Sequence, residues 1–214
     1  MRAVLFDMDG VLFDSERAVL SVWEEIGAEM GLANVREVFL LCVGRTRPRM
    51  RETVCTAWPA LDFTVFDSEV RARFSGRWGG GRLPLKPGAA EILHALKAQG
   101  VPLALASSTN TSVVRRELDE AGLLGCFDAV VGGDQVSRSK PDPEIFLTAA
   151  SLLRAAPADS FVIEDSFNGI RAAYAGGFRA VMVPDLLPPD EEMRQKSEVI
   201  VNDLFEALRW LEKQ

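Results

Sequence analysis

Apolar positions along the chain fall into two patterns. Ala3–Phe6, Val101–Ala106, Ala129–Val131, Phe161–Ile163 and Ala180–Val183 are short, unbroken apolar runs. None shows polar alternation, so each reads as a strand buried on both faces. Between them, apolar residues recur at helical spacing: Ala89–Gln99 before Gly100, Ser112–Ala121 before Gly122, Lys140 to Leu153, Asn168–Ala175 before Gly176-Gly177, and Leu204–Leu211. Strand and helix alternate at this length in a parallel sheet covered on both faces, with right-handed crossovers.

One stretch departs from the alternation. After Asp14 or Ser15, either able to cap a helix, Val19, Leu20, Val22, Trp23 and Ile26 follow a helical period. Three more helical patterns cover 35–41, 48–58 and 66–78, with Pro48 opening the third helix of the stretch and Pro59 stopping it. Gly79-Gly80-Gly81, Pro84 and Pro87-Gly88 form the clearest linker signal in the chain. The expected architecture is therefore α/β: a Rossmann-like, doubly wound parallel sheet formed by 1–15 and 83–214, with an all-helical cap, 16–82, inserted after the first strand.

Charge sharpens this division. The chain has 214 residues and a net charge of -7. Residues 17–82 hold ten arginines and no lysine against eight acids, so the insert is about +2 and the remainder about -9. The net charge argues against nonspecific binding to nucleic acid or membrane. No apolar run approaches the ~18 residues of a spanning helix. Cys42, Cys55 and Cys126 lack metal-ligand spacing and are expected to be free thiols in a reducing cytoplasm. His94, the only histidine, lies in a helical pattern, which disfavours Ser-His and Cys-His nucleophile systems.

Candidate chemistry lies at the carboxyl ends of the strands, where open parallel sheets bind ligands. Asp7 and Asp9 follow the first run, and Gly10 permits a turn there. Ser107-Ser108-Thr109-Asn110 follows the second run, Lys140 precedes a helix beyond the third, and Glu164-Asp165 close the fourth. Carboxylates this close repel unless a cation intervenes. Phosphoryl transfer needs such a set: a carboxylate nucleophile, carboxylates for a hard cation such as Mg2+, and a lysine and hydroxyl for the phosphate oxygens. Arg45, Arg47, Arg49 and Arg51 beside Gly44 are either a solvated helix face or a contact for an anionic substrate.

Asp7-Met8-Asp9-Gly10-Val11, Ala106-Ser107-Ser108, Ser139-Lys140-Pro141-Asp142-Pro143 and Glu164-Asp165-Ser166-Phe167-Asn168-Gly169-Ile170 resemble the four motifs of the haloacid dehalogenase superfamily. The resemblance spans almost the whole chain. It is strongest to the branch with a small helical cap that contains β-phosphoglucomutases and sugar-phosphate phosphatases. It implies Asp7 as nucleophile and Asp9 as general acid and base, with Ser107, Ser108 and Lys140 at the phosphoryl group. It also implies Mg2+ held by Asp7, the Asp9 backbone carbonyl, Glu164 and Asp165. Arg45 and Asn110 fall where the mutases contact the sugar phosphate, but Val19 stands where they carry a histidine. The expected activity is a Mg2+-dependent phosphatase of a small phosphorylated metabolite, in a monomer or weak dimer. The alternative is a sugar-phosphate mutase using the same intermediate. A phosphoacceptor receiver domain would place its acidic pair after the first strand and has no place for the insert or for Asp9.

Overall fold

The computed structural model describes residues 3–44 and 47–214. The chain divides into two compact units, Met1–Asp14 with Pro84–Gln214, and Ser15–Leu83.

The first unit is built on six parallel strands: β1 (Ala3–Phe6), β2 (Leu103–Ala106), β3 (Ala129–Val131), β4 (Ser160–Glu164), β5 (Arg179–Met182) and β6 (Val199–Ile200). Their order is β3-β2-β1-β4-β5-β6. Leu5 of β1 lies opposite Ala104 on one side and Val162 on the other. Strand order reverses at β1, so the ends of β2, β1 and β4 lie side by side at the switch point where doubly wound sheets place their ligands. All four residues of β1 are fully buried, as an unalternating apolar run requires.

Among the described residues six α-helices belong to this unit: α5 (Ala89–Ala98), α6 (Thr111–Glu120), α7 (Glu144–Leu152), α8 (Phe167–Ala175), α9 (Glu191–Lys196) and α10 (Leu204–Leu211). One face of the sheet packs Leu5, Ala104, Val131 and Val162 against Ile145 and Phe146 of α7. Elsewhere Phe161 meets Trp210 of α10 edge-on, with centroids 5.4 Å apart. Strand β6 and helix α9 have no counterpart in the sequence pattern. Two residues are too few to show a period, and Glu191–Lys196 carries only Met193 as a buried apolar residue. Helix α7 starts at Glu144, not at Lys140, because Ser139–Pro143 forms a turn closed by the Asp142 N–H donating to Ser139 O at 3.1 Å.

The second unit holds α1 (Ser15–Met30), α2 (Val35–Cys42), α3 (Arg47–Ala57) and α4 (Phe63–Trp78). Its centre is Trp23, edge-on to Phe39 and Phe66 at 5.2 and 4.9 Å and beside Trp58. Helix α4 begins three residues before the expected point because Asp62 caps it, accepting from the Thr64 and Val65 N–H groups. Arg73 of α4 pairs with Glu25 and Glu29 of α1. Of the described arginines beside Gly44, Arg47 pairs with Asp67, Arg49 with Glu52 at 2.7 Å, and Arg51 covers the Phe63 ring at 5.8 Å. Arg45 lies outside the described residues. Among the described residues no helix is long and apolar enough to cross a membrane.

Candidate active site

Asp7 extends the ladder beyond β1, its N–H donating to Ile163 O at 3.0 Å. The chain then turns at once. The N–H groups of Leu12 and Phe13 both donate to Met8 O, and Gly10 takes φ 77°. A side chain at Gly10 is excluded twice, by that φ and because its Cβ would stand 2.3 Å from Asp165 Oδ2. This close approach brings the β1 and β4 ends together.

Glu164 ends β4 with 1% exposure. Its Oε2 accepts from the Ser166 N–H at 2.7 Å and from the Ser166 hydroxyl at 3.0 Å, and its Oε1 accepts from Lys140 Nζ at 2.7 Å. A Cβ at Gly169 would lie 1.7 Å from Oε1, so this glycine leaves the room that the carboxylate fills. Lys140 Nζ also donates to Asp7 Oδ1 at 2.5 Å and to Ala106 O at 3.2 Å, and stands 4.7 Å from the Phe146 ring centroid. Ser107 is buried at the end of β2, donates its N–H to Val131 O, and accepts at Oγ from the Thr109 N–H at 3.1 Å.

Asp7, Glu164 and Asp165 each offer a carboxylate oxygen within 4.8 Å of the others, and all three residues are buried. The Lys140 ammonium stands among these carboxyl groups, bonded to Asp7 and Glu164. Burial pushes the Asp7 carboxyl above its ordinary range, Lys140 opposes this, and repulsion from Glu164 and Asp9 adds to it. Burial works against the Lys140 charge, but Asp7 and Glu164 outweigh it and hold the ammonium protonated. Three carboxylate oxygens this close fit a hard divalent cation, and among the described residues the group includes no thiolate or imidazole to favour a softer one.

Sequence-predicted residues are not all engaged alike. Asp7, Ser107, Lys140, Glu164 and Asp165 converge and are buried. Asp9 is half-buried beside them, its Oδ2 accepting from the Thr109 hydroxyl at 3.1 Å. Ser108 is exposed. Asn110 caps α6, its Oδ1 accepting from the Ser112 N–H and hydroxyl. Three participants stood inside the quoted sequence segments without a role assigned to them: Thr109, Ser166 and Gly169. Ser166 and Gly169 lie inside the acidic segment, but their work is to hold Glu164.

Several buried carboxylates stacked at strand ends cost folding energy, and such groups cluster where chemistry needs them. Fold and site therefore define a doubly wound α/β enzyme with an inserted helical unit. The chain belongs to the haloacid dehalogenase-like hydrolase family, whose model matches residues 1–177. It is 32% identical over 205 residues to a bifunctional riboflavin kinase/FMN phosphatase of Arabidopsis thaliana, a match covering 95% of this chain but 53% of that one. The chain thus spans about half the length of that relative. It is 32% identical to a phosphorylated carbohydrates phosphatase of Thermotoga maritima over 85% of this chain and 84% of the relative. A crystal structure of a HAD family hydrolase from Deinococcus radiodurans R1, with bound phosphate and sodium, superposes with a TM-score of 0.84 at 28% identity, covering 100% and 96% of the two chains.

Proposed function

We propose that this enzyme is a Mg2+-dependent phosphatase of a small phosphorylated metabolite, a sugar phosphate, acting through an aspartyl phosphate on Asp7. The observation that carries this reading is the buried Asp7 carboxyl, held at 2.5 Å by Lys140, with its oxygen within 4.8 Å of carboxylate oxygens of the buried Glu164 and Asp165. Asp7 attacks phosphorus with one carboxylate oxygen. The Ser107 hydroxyl and the Lys140 ammonium hold phosphoryl oxygens, and Ser108 lies next to them at the same strand end. Asp9 gives a proton to the departing alkoxide and later takes one from the attacking water. Asp7, the Asp9 backbone carbonyl, Glu164 and Asp165 would hold Mg2+, which supplies charge neutralisation between phosphate and carboxylates when bound. The phosphatase relatives support the substrate class, and Arg45, Asn110 and the cap 16–82 are the candidates for discrimination among esters.

The test is a panel of phosphorylated metabolites with Mg2+, reading both released phosphate and isomerised sugar. Phosphate release from sugar phosphates is expected. Isomerisation without release would make the enzyme a mutase despite Val19, and neither product from any ester would remove the phosphoryl-transfer reading.

A further inference from the structure

Thr109 is tied down at three points. Its N–H donates to Ser107 Oγ at 3.1 Å. Its carbonyl accepts from the Gly133 N–H at 2.9 Å. Its hydroxyl donates to Asp9 Oδ2 at 3.1 Å. The two loops approach closely there: a Cβ at Gly133 would fall 2.3 Å from Ser108 O, so only glycine lets Gly133 reach the Thr109 carbonyl. One residue therefore joins a hydroxyl proposed to hold phosphate to a carboxyl proposed to move protons.

The direction of the third bond has a chemical consequence. Among the described residues the Asp9 carboxylate meets the Thr109 hydroxyl and no second donor, and Asp9 sits inside the tight turn that Met8 opens. A carboxyl group on a short, freely turning side chain presents either oxygen. With Oδ2 occupied as an acceptor, Oδ1 is the oxygen left to carry and exchange a proton. We propose that Thr109 is a positioning residue for proton transfer, fixing the orientation of the Asp9 carboxyl so that Oδ1 faces the reacting oxygen. This rests on the reading of Asp9 as general acid and base. Thr109 itself exchanges no proton. In the first half-reaction the bond from Asp7 oxygen to phosphorus forms, the ester P–O bond breaks, and the Asp9 Oδ1 proton passes to the leaving alkoxide. In the second, water oxygen bonds phosphorus, the Asp7–phosphorus bond breaks, and Oδ1 takes the water proton.

The test compares Thr109→Val, which keeps the shape but loses the donor, with Thr109→Ser, which keeps the donor, both in the Mg2+-loaded full-length enzyme. Loss of orientation at this distance scale is worth roughly 10–10²-fold in rate. Thr109→Val should lower kcat for an alkyl phosphate by about that factor with little change in KM. Stopped-flow release of p-nitrophenolate from p-nitrophenyl phosphate, whose leaving group needs no proton, should change far less. Acid-stable phospho-enzyme should build up, because its hydrolysis still needs the base. Thr109→Ser should restore the alkyl-phosphate rate, and Asp9→Asn with Thr109→Val should be no slower than Asp9→Asn alone. Equal losses on both leaving groups, failure of Thr109→Ser to restore, or losses that add to those of Asp9→Asn would overturn the proposal and make Thr109 a support of the phosphate loop only. If Asp9→Asn itself leaves alkyl-phosphate hydrolysis unchanged, the role given to Asp9 fails first, a result distinct from any Thr109 outcome. Should Thr109→Val not fold, Thr109→Ala against Thr109→Ser gives the same comparison.

Discussion

At the scale of single residues, Glu117 shows how position overrides type. It lies on α6, half-buried, and burial pushes its carboxyl up to about 7, helped by the negative charge of Asp9 and opposed by Arg116. Its ordinary value is 4.5. Below that, folded and unfolded chains both carry the neutral acid and Glu117 is indifferent. Between 4.5 and about 7 the unfolded chain ionises first, so stability falls as pH rises, and above 7 the cost stays constant. Glu117→Gln should therefore raise Tm at pH 8 and leave it unchanged at pH 4. A gain of equal size at both values would trace the effect to packing, not charge. Nothing in the pattern Arg115-Arg116-Glu117-Leu118 marks this glutamate, which has the look of any solvated helix position. Asp7 was legible for the opposite reason: an acid ending a fully apolar run has no bland explanation once Lys140 and Glu164-Asp165 appear at the other strand ends.

At the scale of elements, α8 is the part most tightly bound to chemistry. Ser166 caps it with its hydroxyl accepting from the Gly169 N–H, while the same Ser166 donates to Glu164. Gly169 sits in the first turn, and two effects of a methyl group there have opposite sign. Alanine is favoured over glycine in a helix by about 1 kcal/mol. A Cβ 1.7 Å from Glu164 Oε1 forces the carboxylate or the helix to move, an overpacking cost of about 1–3 kcal/mol or more. The second effect wins, so Gly169→Ala should lower Tm and weaken divalent-cation binding together. A higher Tm would mean that Glu164 has space to retreat. Helix α10 was readable from its apolar spacing to the residue, Leu204–Leu211, and the structure adds Asp203 as its cap. The start of α4 was not, because Phe63 and Val65 break the period and the information lies in Asp62. Contacts that depend on two distant segments, such as Gly10 against Asp165, are invisible to any local pattern.

At the scale of the whole molecule, the acid-rich edge should couple ligand binding to stability. A cation that binds the folded chain at 100 times its Kd adds about 2.7 kcal/mol, roughly 5–10 °C in Tm for a chain of this size. Mg2+ should produce a shift of that order and chelation should abolish turnover. Asp7→Asn should leave the far-ultraviolet circular dichroism intact, remove turnover, and shrink the shift. An undiminished shift would place the cation elsewhere. The two connections to the helical unit are joined within the sheet-bearing unit: the Asp14 N–H donates to Pro84 O at 2.8 Å, Lys86 N–H to Leu12 O at 2.8 Å, and Lys86 Nζ to Asp185 at 2.6 Å, with Asp14 3.7 Å away. The points of departure and return are thus stapled to each other by the unit that holds the acidic cluster. Such a junction works as a socket. Under the proposed function, the stretch between Asp14 and Pro84 becomes a cassette: exchanging it for another helical insert should change substrate preference while the Mg2+-linked Tm shift stays.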